Sequence, residues 1–416
     1  MNNQVSIQTI EEAALKLEGV ILKTPLWFSK RLSKKYNAKI YLKREDLQEV
    51  RSYKIRGAYN LMSSLSIKEK KAGVVCASAG NHAQGVALSA SLLKIKAVIF
   101  MPSITPLQKI NRVRHFGDGW IEIKLVGKTY DESSAAAKEY CKKKKAVFVH
   151  PFDNDKVISG QGTVAKEIFE KLGTDVDYIF CPIGGGGLIS GVSTYMKSKS
   201  KKTEVIGVEP MGAAGMHESI KRGKVVTLDK IDTFVDGAAV KTVGEKTFAI
   251  TKKLIKHVLI VEEGKVCTFI IDLYQNEGIV AEPAGALSVT ALDLYADKIK
   301  GKTVVCVLSG GNNDVLRYPE IMEKSLVYRG LRHYFLIEFG QKPGQLRKFV
   351  DSALGPTDDI TRFEYIKKNS KEIGPALVGI ELSDKKDLKP LTDRMDKLGL
   401  TYIPITSSDL LYSYLI

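Results

Sequence analysis

The stretch DYIFCPIGGGGL, residues 177–188, decides the fold of this chain. DYIFCPI (177–183) reads as a buried strand, four glycines follow it, and a helical pattern opens near Leu188. Without Cβ atoms the N–H groups of Gly184, Gly185, Gly186 and Gly187 can turn toward one anion, and the helix N-terminus adds positive potential. A turn made only for helix–strand packing needs one or two glycines, so a phosphate cradle is the favoured reading. No Gly-Lys-Ser/Thr follows, as a P-loop would require, and no GxGxxG stands with an acidic residue at the end of the next strand. The phosphate expected here belongs to neither ATP nor NAD.

The same strand–loop–helix grammar extends on both sides. AKIYLKR (38–44), AGVVCASA (72–79), KAVIFMP (96–102), WIEIKLV (120–126), AVFVHPF (146–152), EVIGVEP (204–210) and KTVVCVLS (302–309) also read as buried strands. Helix-length segments lie between several of them, such as HAQGVALSASLLK (82–94) and TYDESSAAAKEYCKKK (129–144). Strands apolar on both faces with helical crossovers predict a parallel α/β sheet. Ligands of such sheets gather where strands end and helices begin. Two more small-residue loops sit at such ends: SAGNHAQG (78–85), with Ser78, Asn81, His82 and Gln84 at a helix start, and SGGNND (309–314). The first suits a carboxylate or an aromatic oxyanion.

SYKIRGAY (52–59) places a lysine in a telling position. Ser52 reads as a helix N-cap, which puts Lys54 in the first turn, against the positive end of the helix dipole. Arg44, Arg51 and Arg56 are expected to crowd it further and to favour the neutral amine. A neutral amine is what bond formation to a carbonyl carbon needs.

Beyond about residue 330 the pattern changes. LRHYFLIEF (331–339), ITRFEYIKKN (360–369), PALVGIELS (375–383) and LTYIPI (400–405) read as strands. PGQLRKFVDSAL (343–354) and KDLKPLTDRMDKLG (386–399) read as helices. The order βαββαβ is ferredoxin-like, and the linker before it is expected near EKSLVYRG (323–330).

Composition narrows the function. The chain has 416 residues, enough for two or three domains, and is 44% hydrophobic and 26% charged, as soluble globular proteins are. No apolar run reaches the length of a membrane span, and MNNQVSIQTIEEAALKLEGV carries acidic residues and no apolar core, so no signal peptide is expected. The five cysteines, Cys76, Cys141, Cys181, Cys267 and Cys306, form no CxxC pair, which argues for a reducing cytoplasm and against a disulfide scaffold or zinc site. The net charge of +16 raises nucleic acid as a partner, but the lysines are spread along the whole chain. CKKKKAV (141–147), the densest run, reads as a solvated turn. The basic balance suits anionic small molecules instead.

Taken together, SYKIRGA with Lys54, SAGNHAQG, GGGG, EPAGA (282–286) and SGGNND resemble the pyridoxal-phosphate enzymes of the tryptophan-synthase-β class, fold type II. Within that class they are similar to the threonine dehydratase (threonine ammonia-lyase) family over roughly residues 5–320. The tail resembles the ACT-like regulatory domain of the biosynthetic, isoleucine-sensitive form. The resemblance implies a catalytic domain over 1–325, with a small subdomain of about 53–150 inserted in the large one, and an ACT-like domain over 326–416. It implies that Lys54 bonds pyridoxal 5′-phosphate and moves the substrate's Cα proton, and that Tyr53 lies near the cofactor ring. Asn81 would bond the pyridoxal O3′, and Gly184, Gly185, Gly186, Gly187 and Leu188 would bind the phosphate through backbone N–H groups. Ser309 would face the pyridine nitrogen, and Ser78, Gly80, Asn81 and His82 would hold the substrate carboxylate. Glu282 would sit near the cofactor without a stated role.

The family implies L-threonine, or L-serine, as substrate, isoleucine or valine as allosteric effector, and a homo-oligomer. Serine dehydratases and serine racemases share the fold. Racemases of this type carry a serine just before the glycine of the SxGNH loop, where this chain has Ala79. Relatives also bind a divalent metal near a GVEP strand end, but Gly215 stands where the second carboxylate is expected after Glu209, so no metal site is expected. A non-enzymatic amino-acid-responsive regulator, built on the βαββαβ unit alone, is the rival from another class. It would have no use for Lys54.

Overall fold

The computed structural model of the chain describes residues 4–365, 372–406, 409, 411, 412 and 415. The chain divides into two compact units, Met1–Asp314 and Val315–Ile416. The first holds two sheets. One has six strands: β1 (Leu26–Phe28), β2 (Lys39–Arg44), β7 (Tyr178–Pro182), β8 (Glu204–Pro210), β9 (Val258–Val261) and β10 (Thr303–Leu308). Their order is β1-β2-β10-β7-β8-β9, all parallel except the β1–β2 pair. The other sheet, wholly parallel, has the order β5-β4-β3-β6, from β3 (Val74–Ala77), β4 (Ala97–Met101), β5 (Ile121–Leu125) and β6 (Val147–Phe148).

Strand order reverses once in each sheet, between β3 and β6 in the small one and between β7 and β10 in the large one. Such switch points leave a crevice at the strands' carboxyl ends. The SAGNHAQG loop follows β3, and the glycine tract and SGGNND follow β7 and β10. The three loops singled out in the sequence are therefore the crevice loops.

Several expectations need correction. Ser52 does not cap a helix. The helix is Lys54–Ser63, the residue at its cap is Tyr53, and Ser52 pairs instead with Gly310 in an isolated antiparallel bridge, its buried hydroxyl without a partner. Lys54 is still first-turn. AVFVHPF gives only a two-residue strand, because the His150 ring nitrogen accepts the N–H groups of Phe152 and Asp153 and turns the chain. β5 is not buried; it is an edge strand that places Glu122 and Lys124 outward in an ion pair. The lysines of CKKKKAV are not a turn but the last turn of helix Tyr130–Lys144, where cations complement the helix C-terminus. β1 and β9 went unread.

The five cysteines are buried and form no disulfide, with Cys76, Cys181 and Cys306 in β3, β7 and β10. No helix among the described residues is long and apolar enough to cross a membrane.

The second unit has the order β12-β13-β11-β14, fully antiparallel, from β11 (Arg332–Gly340), β12 (Asp359–Tyr365), β13 (Ile373–Glu381) and β14 (Thr401–Ile405). Helices Gln345–Ala353 and Leu388–Lys397 bury Phe349, Ala353, Leu391 and Met395 with Phe335, Ile337, Val378 and Ile380 of the sheet. This is the βαββαβ fold read in the tail. The expected linker at 323–330 is mostly helix, Tyr318–Tyr328, and belongs to this unit: its Glu323 binds Arg332 (3.1 Å) and the Tyr334 hydroxyl (2.8 Å) of β11. The unit boundary therefore precedes the one expected at 325/326.

Candidate active site

The crevice loops open on one cleft of about 1280 Å3, large for a small-molecule site. Lys54, Tyr53, Ser78, Ala79, Gly80, Asn81 and His82 line it, and so do Gly184, Gly185, Gly186, Gly187, Leu188 and Glu282. Ser309 is buried and is not among the lining residues; its hydroxyl reaches the Ala284 carbonyl at 3.3 Å.

Lys54 projects into the cleft from the first turn of its helix. Its Nζ donates one long bond, 3.3 Å, to the Pro151 carbonyl and stands 5.3 Å from the Tyr53 ring centre. Burial lowers its pKa to about 8, against the pull of Glu282. The direction read from the sequence holds, but its cause does not. Arg44 is paired with Asp46 and Arg56 with Glu45 and Glu167, so these two arginines spend their charge elsewhere.

The glycine tract serves two ends at once. Gly186 has φ +93° and precedes helix Gly187–Lys199, whose N-terminus has no side-chain cap. A Cβ on Gly185 would lie 2.2 Å from the Phe152 ring, and one on Gly187 3.1 Å from the Phe152 backbone. The Gly185 carbonyl is held from behind by the Thr247 hydroxyl at 2.6 Å. So the tract packs against 150–152 as well as leaving uncapped amides at a helix N-terminus, the arrangement that binds an anion. The helix after the SAGNHAQG loop, Asn81–Leu93, likewise starts without a side-chain cap.

Asn81 is locked by two partners. Its Nδ2 donates to Glu282 Oε1 at 2.6 Å, and its Oδ1 accepts from Asn312 Nδ2 at 2.6 Å, which also binds the Val50 carbonyl. The lock fixes which end of the amide is the donor and leaves one N–H of Nδ2 free. Sequence reasoning passed over Asn312, which a strand-end position in SGGNND could have flagged. Burial pushes Glu282 up to about 7, Asp236 adds to this, and the Asn81 bond and Lys109 oppose it. His82 was expected to hold a carboxylate, but its ring is committed elsewhere. Nε2 bonds the Val149 carbonyl at 2.8 Å, and burial followed by Lys54 pushes the pKa down to about 3. With Nε2 donating, Nδ1 is an acceptor and repels a carboxylate, so His82 can contribute only its backbone N–H.

Glu209 is tied into the start of a helix. Both carboxylate oxygens accept backbone N–H groups, of Met216 and His217, at 2.8 Å, and cap helix Gly215–Arg222. Burial raises it to about 8, with those two amides opposing. Both Glu209 and Glu282 thus bind protons more tightly in the folded protein than an ordinary glutamate does near 4.5. From these two groups the folded state holds more protons than the unfolded one between 4.5 and about 8, while His82 and His150, pushed down by burial, give the unfolded state the extra protons below 6.5. The thermal midpoint of the cofactor-free protein is expected to fall as pH rises from 6.5 to about 8. Glu282→Gln should flatten the part below about pH 7; melts of both proteins from pH 5 to pH 8.5 check this, and parallel curves would contradict it.

The sequence pattern of the family described as pyridoxal-phosphate dependent enzyme matches residues 17–310, and that of the C-terminal regulatory domain of threonine dehydratase matches 323–415. The chain is 54% identical to the biosynthetic L-threonine dehydratase IlvA of Halalkalibacterium halodurans, over 99% of this chain and all of that one. It is 54% identical to the corresponding protein of Bacillus subtilis, over the whole chain and 98% of the relative. Among solved structures, processed threonine deaminase isoform 2 of Solanum lycopersicum superposes with a TM-score of 0.73 at 41% identity, over 76% of this chain and 87% of that one. Maize serine racemase superposes at 0.72 with 30% identity, over 78% and 98%. The chain belongs to the pyridoxal-phosphate dependent enzymes and, within them, to the threonine dehydratases that carry a C-terminal regulatory domain.

The residues fit that cofactor. An uncapped glycine cradle can take a phosphate, a lysine with its pKa lowered to about 8 can take an aldehyde carbon, and a fixed amide donor can take a phenolic oxygen.

Proposed function

We propose that this chain converts L-threonine to 2-oxobutanoate and ammonia, as the committed step toward isoleucine, under control of its C-terminal domain. One observation carries the reading: Lys54, the locked Asn81 donor and the glycine cradle line a single cleft in a chain of this family. When bound, the cofactor supplies a covalent hold on the substrate nitrogen and a sink for the electrons left on Cα.

The chain supplies the rest. The N–H groups of Gly184 to Leu188 would hold the phosphate, Asn81 would donate its free N–H to O3′, and Tyr53 would flank the ring. Ser309 would meet the ring nitrogen with its hydroxyl turned from the Ala284 carbonyl that it reaches at 3.3 Å; a hydroxyl does not force that nitrogen to carry a proton and suits β-elimination. The substrate carboxylate lies at the start of helix Asn81–Leu93, held by Ser78 and the backbone N–H groups of Gly80, Asn81 and His82. The neutral Lys54 amine takes the Cα proton. The β-hydroxyl leaves with a proton, as water, which balances the Cα proton taken by Lys54, and the enamine released adds water and loses ammonia to give the oxo acid.

Ala79 gives the cleft a methyl where a racemase needs an acid or base, which supports elimination over racemisation. Serine is the harder rival, since one methyl is worth only about 1–3 kcal/mol of discrimination. The regulatory tail favours threonine, with isoleucine or valine as the effector. We place the protein in the cytoplasm as a homo-oligomer, the assembly that ACT-like units favour.

The test is 2-oxo-acid formation by the purified chain from L-threonine and from L-serine, each with and without L-isoleucine. Threonine turnover suppressed by isoleucine is expected. Turnover of threonine indifferent to isoleucine would withdraw the effector, and turnover of serine alone would withdraw the substrate.

A further inference from the structure

Arg56 lies two residues beyond Lys54, about 200° around the helix. Lys54 faces the cleft and Arg56 is fully buried behind it. A guanidinium has five N–H donors, and here each meets an acceptor. Nε bonds Glu45 Oε2 at 2.8 Å and Nη2 bonds Glu45 Oε1 at 2.8 Å. Nη1 bonds Glu167 Oε1 at 2.6 Å and Thr163 Oγ1 at 3.0 Å, and Nη2 also bonds Glu167 Oε2 at 3.0 Å.

The two carboxylates are themselves held. The Thr24 hydroxyl donates to Glu45 at 2.5 Å, and Lys43, at 1% exposure, bonds both Glu167 and the Thr24 carbonyl. Burial works against the charge on Arg56, and Glu45 and Glu167 more than offset it, so the guanidinium stays ionised. The anchors come from the end of β2, the turn after it and helix Asp155–Leu172.

The helix is bracketed in translation as well. A Cβ on Gly85 would lie 3.1 Å from the Lys54 and Ile55 backbone, and one on Gly160 2.7 Å from the Gly57 Cα. Buried ion pairs add little net stability over apolar residues of the same size, but they can hold an orientation. Small rotations of this helix would swing the Lys54 amine across the cleft and break several of the five bonds together.

We infer that Arg56, held by Glu45 and Glu167, is the positioning residue for Lys54, setting the rotation of helix Lys54–Ser63 that aims the amine at the cofactor. The inference rests on Lys54 being the cofactor lysine. Arg56→Lys tests it, because an ammonium with three donors cannot form two forks with two carboxylates.

The readouts are the rate at which cofactor-stripped full-length protein captures pyridoxal phosphate at Lys54, located by borohydride reduction and peptide mapping, and kcat and KM for threonine in the reconstituted enzyme. Capture and kcat are expected to fall on the order of 100-fold, with KM within about threefold. Glu167→Gln keeps the Glu45 fork and should lose about tenfold in both; it decides the matter if Arg56→Lys does not fold. Tyr195→Phe, which removes the bond to Glu11 at the far end of another helix, controls for general destabilisation. Wild-type capture at Lys54 with unchanged rates in folded Arg56→Lys, or equal losses in Tyr195→Phe, would overturn the inference alone. Capture by the wild type at another lysine would overturn the functional reading, and this inference with it.

Discussion

Lys54→Ala is expected to abolish turnover of threonine, by at least about 1,000-fold, while the protein stays folded. The lysine combines two duties, holding the cofactor and moving the Cα proton, and no neighbour replaces it. Of the other lysines lining the cleft, Lys109 is bound to Asp236 at 2.7 Å, and Lys128, Lys138, Lys230 and Lys241 are exposed. Stability should not suffer, because the amine makes a single 3.3 Å bond. The amine's charge sets the direction of the effect. Folding lowers the pKa from 10.5 to about 8, so the unfolded chain binds more protons between those values, and stability attributable to this group rises with pH across them. At pH 7 the charged, desolvated amine opposes folding, and alanine relieves it. The same shift predicts that capture of pyridoxal phosphate by the stripped protein speeds up with pH and levels off above about 8, as the amine becomes neutral. Near-normal turnover by folded Lys54→Ala would remove the lysine from the chemistry.

Gly185→Ala carries the second large effect, and it acts on binding. The added methyl carbon would stand 2.2 Å from the Phe152 ring. That ring cannot swing away freely, since it packs edge-on against His150 with centroids 4.7 Å apart. The tract must move instead, and its amides lose their common aim. Each hydrogen bond lost to a charged phosphate is worth about 1.5–3 kcal/mol, so the cofactor's dissociation constant should rise by about 10- to 150-fold per bond. Titration of the stripped protein with pyridoxal phosphate measures this. An unchanged constant would mean that the four glycines serve packing alone.

The parallel sheets were legible because their strands are apolar on both faces: DYIFCPI and EVIGVEP appear as β7 and β8 within a residue of the expected limits. What the sequence hid is what tertiary context decides. Ser52 has the composition of a helix cap, but the bridge to Gly310 draws its backbone elsewhere. Leu26–Phe28 is too short to show a period, and only its pairing with β2 makes it a strand. β9 is a four-residue run, VLIV, at the far edge of the large sheet, short enough to pass for part of a helix.

The site divides in the same way. Glycine loops and a first-turn lysine announce themselves through unusual composition. The charge state of Lys54 does not, because Arg44 and Arg56 are spent on Asp46, Glu45 and Glu167 and burial does the shifting. Nor does the fate of the His82 ring, which depends on Val149, 67 residues along the chain. Asn312 and Glu282 meet Asn81 only once two strand ends and the start of helix Pro283–Thr290 converge.

The most direct measurement is to load the purified chain with pyridoxal phosphate, reduce it with borohydride and map the labelled peptide. The chemistry set out here requires one label per chain, on the peptide that contains Lys54. A label on another lysine, or one scattered over many, would contradict it.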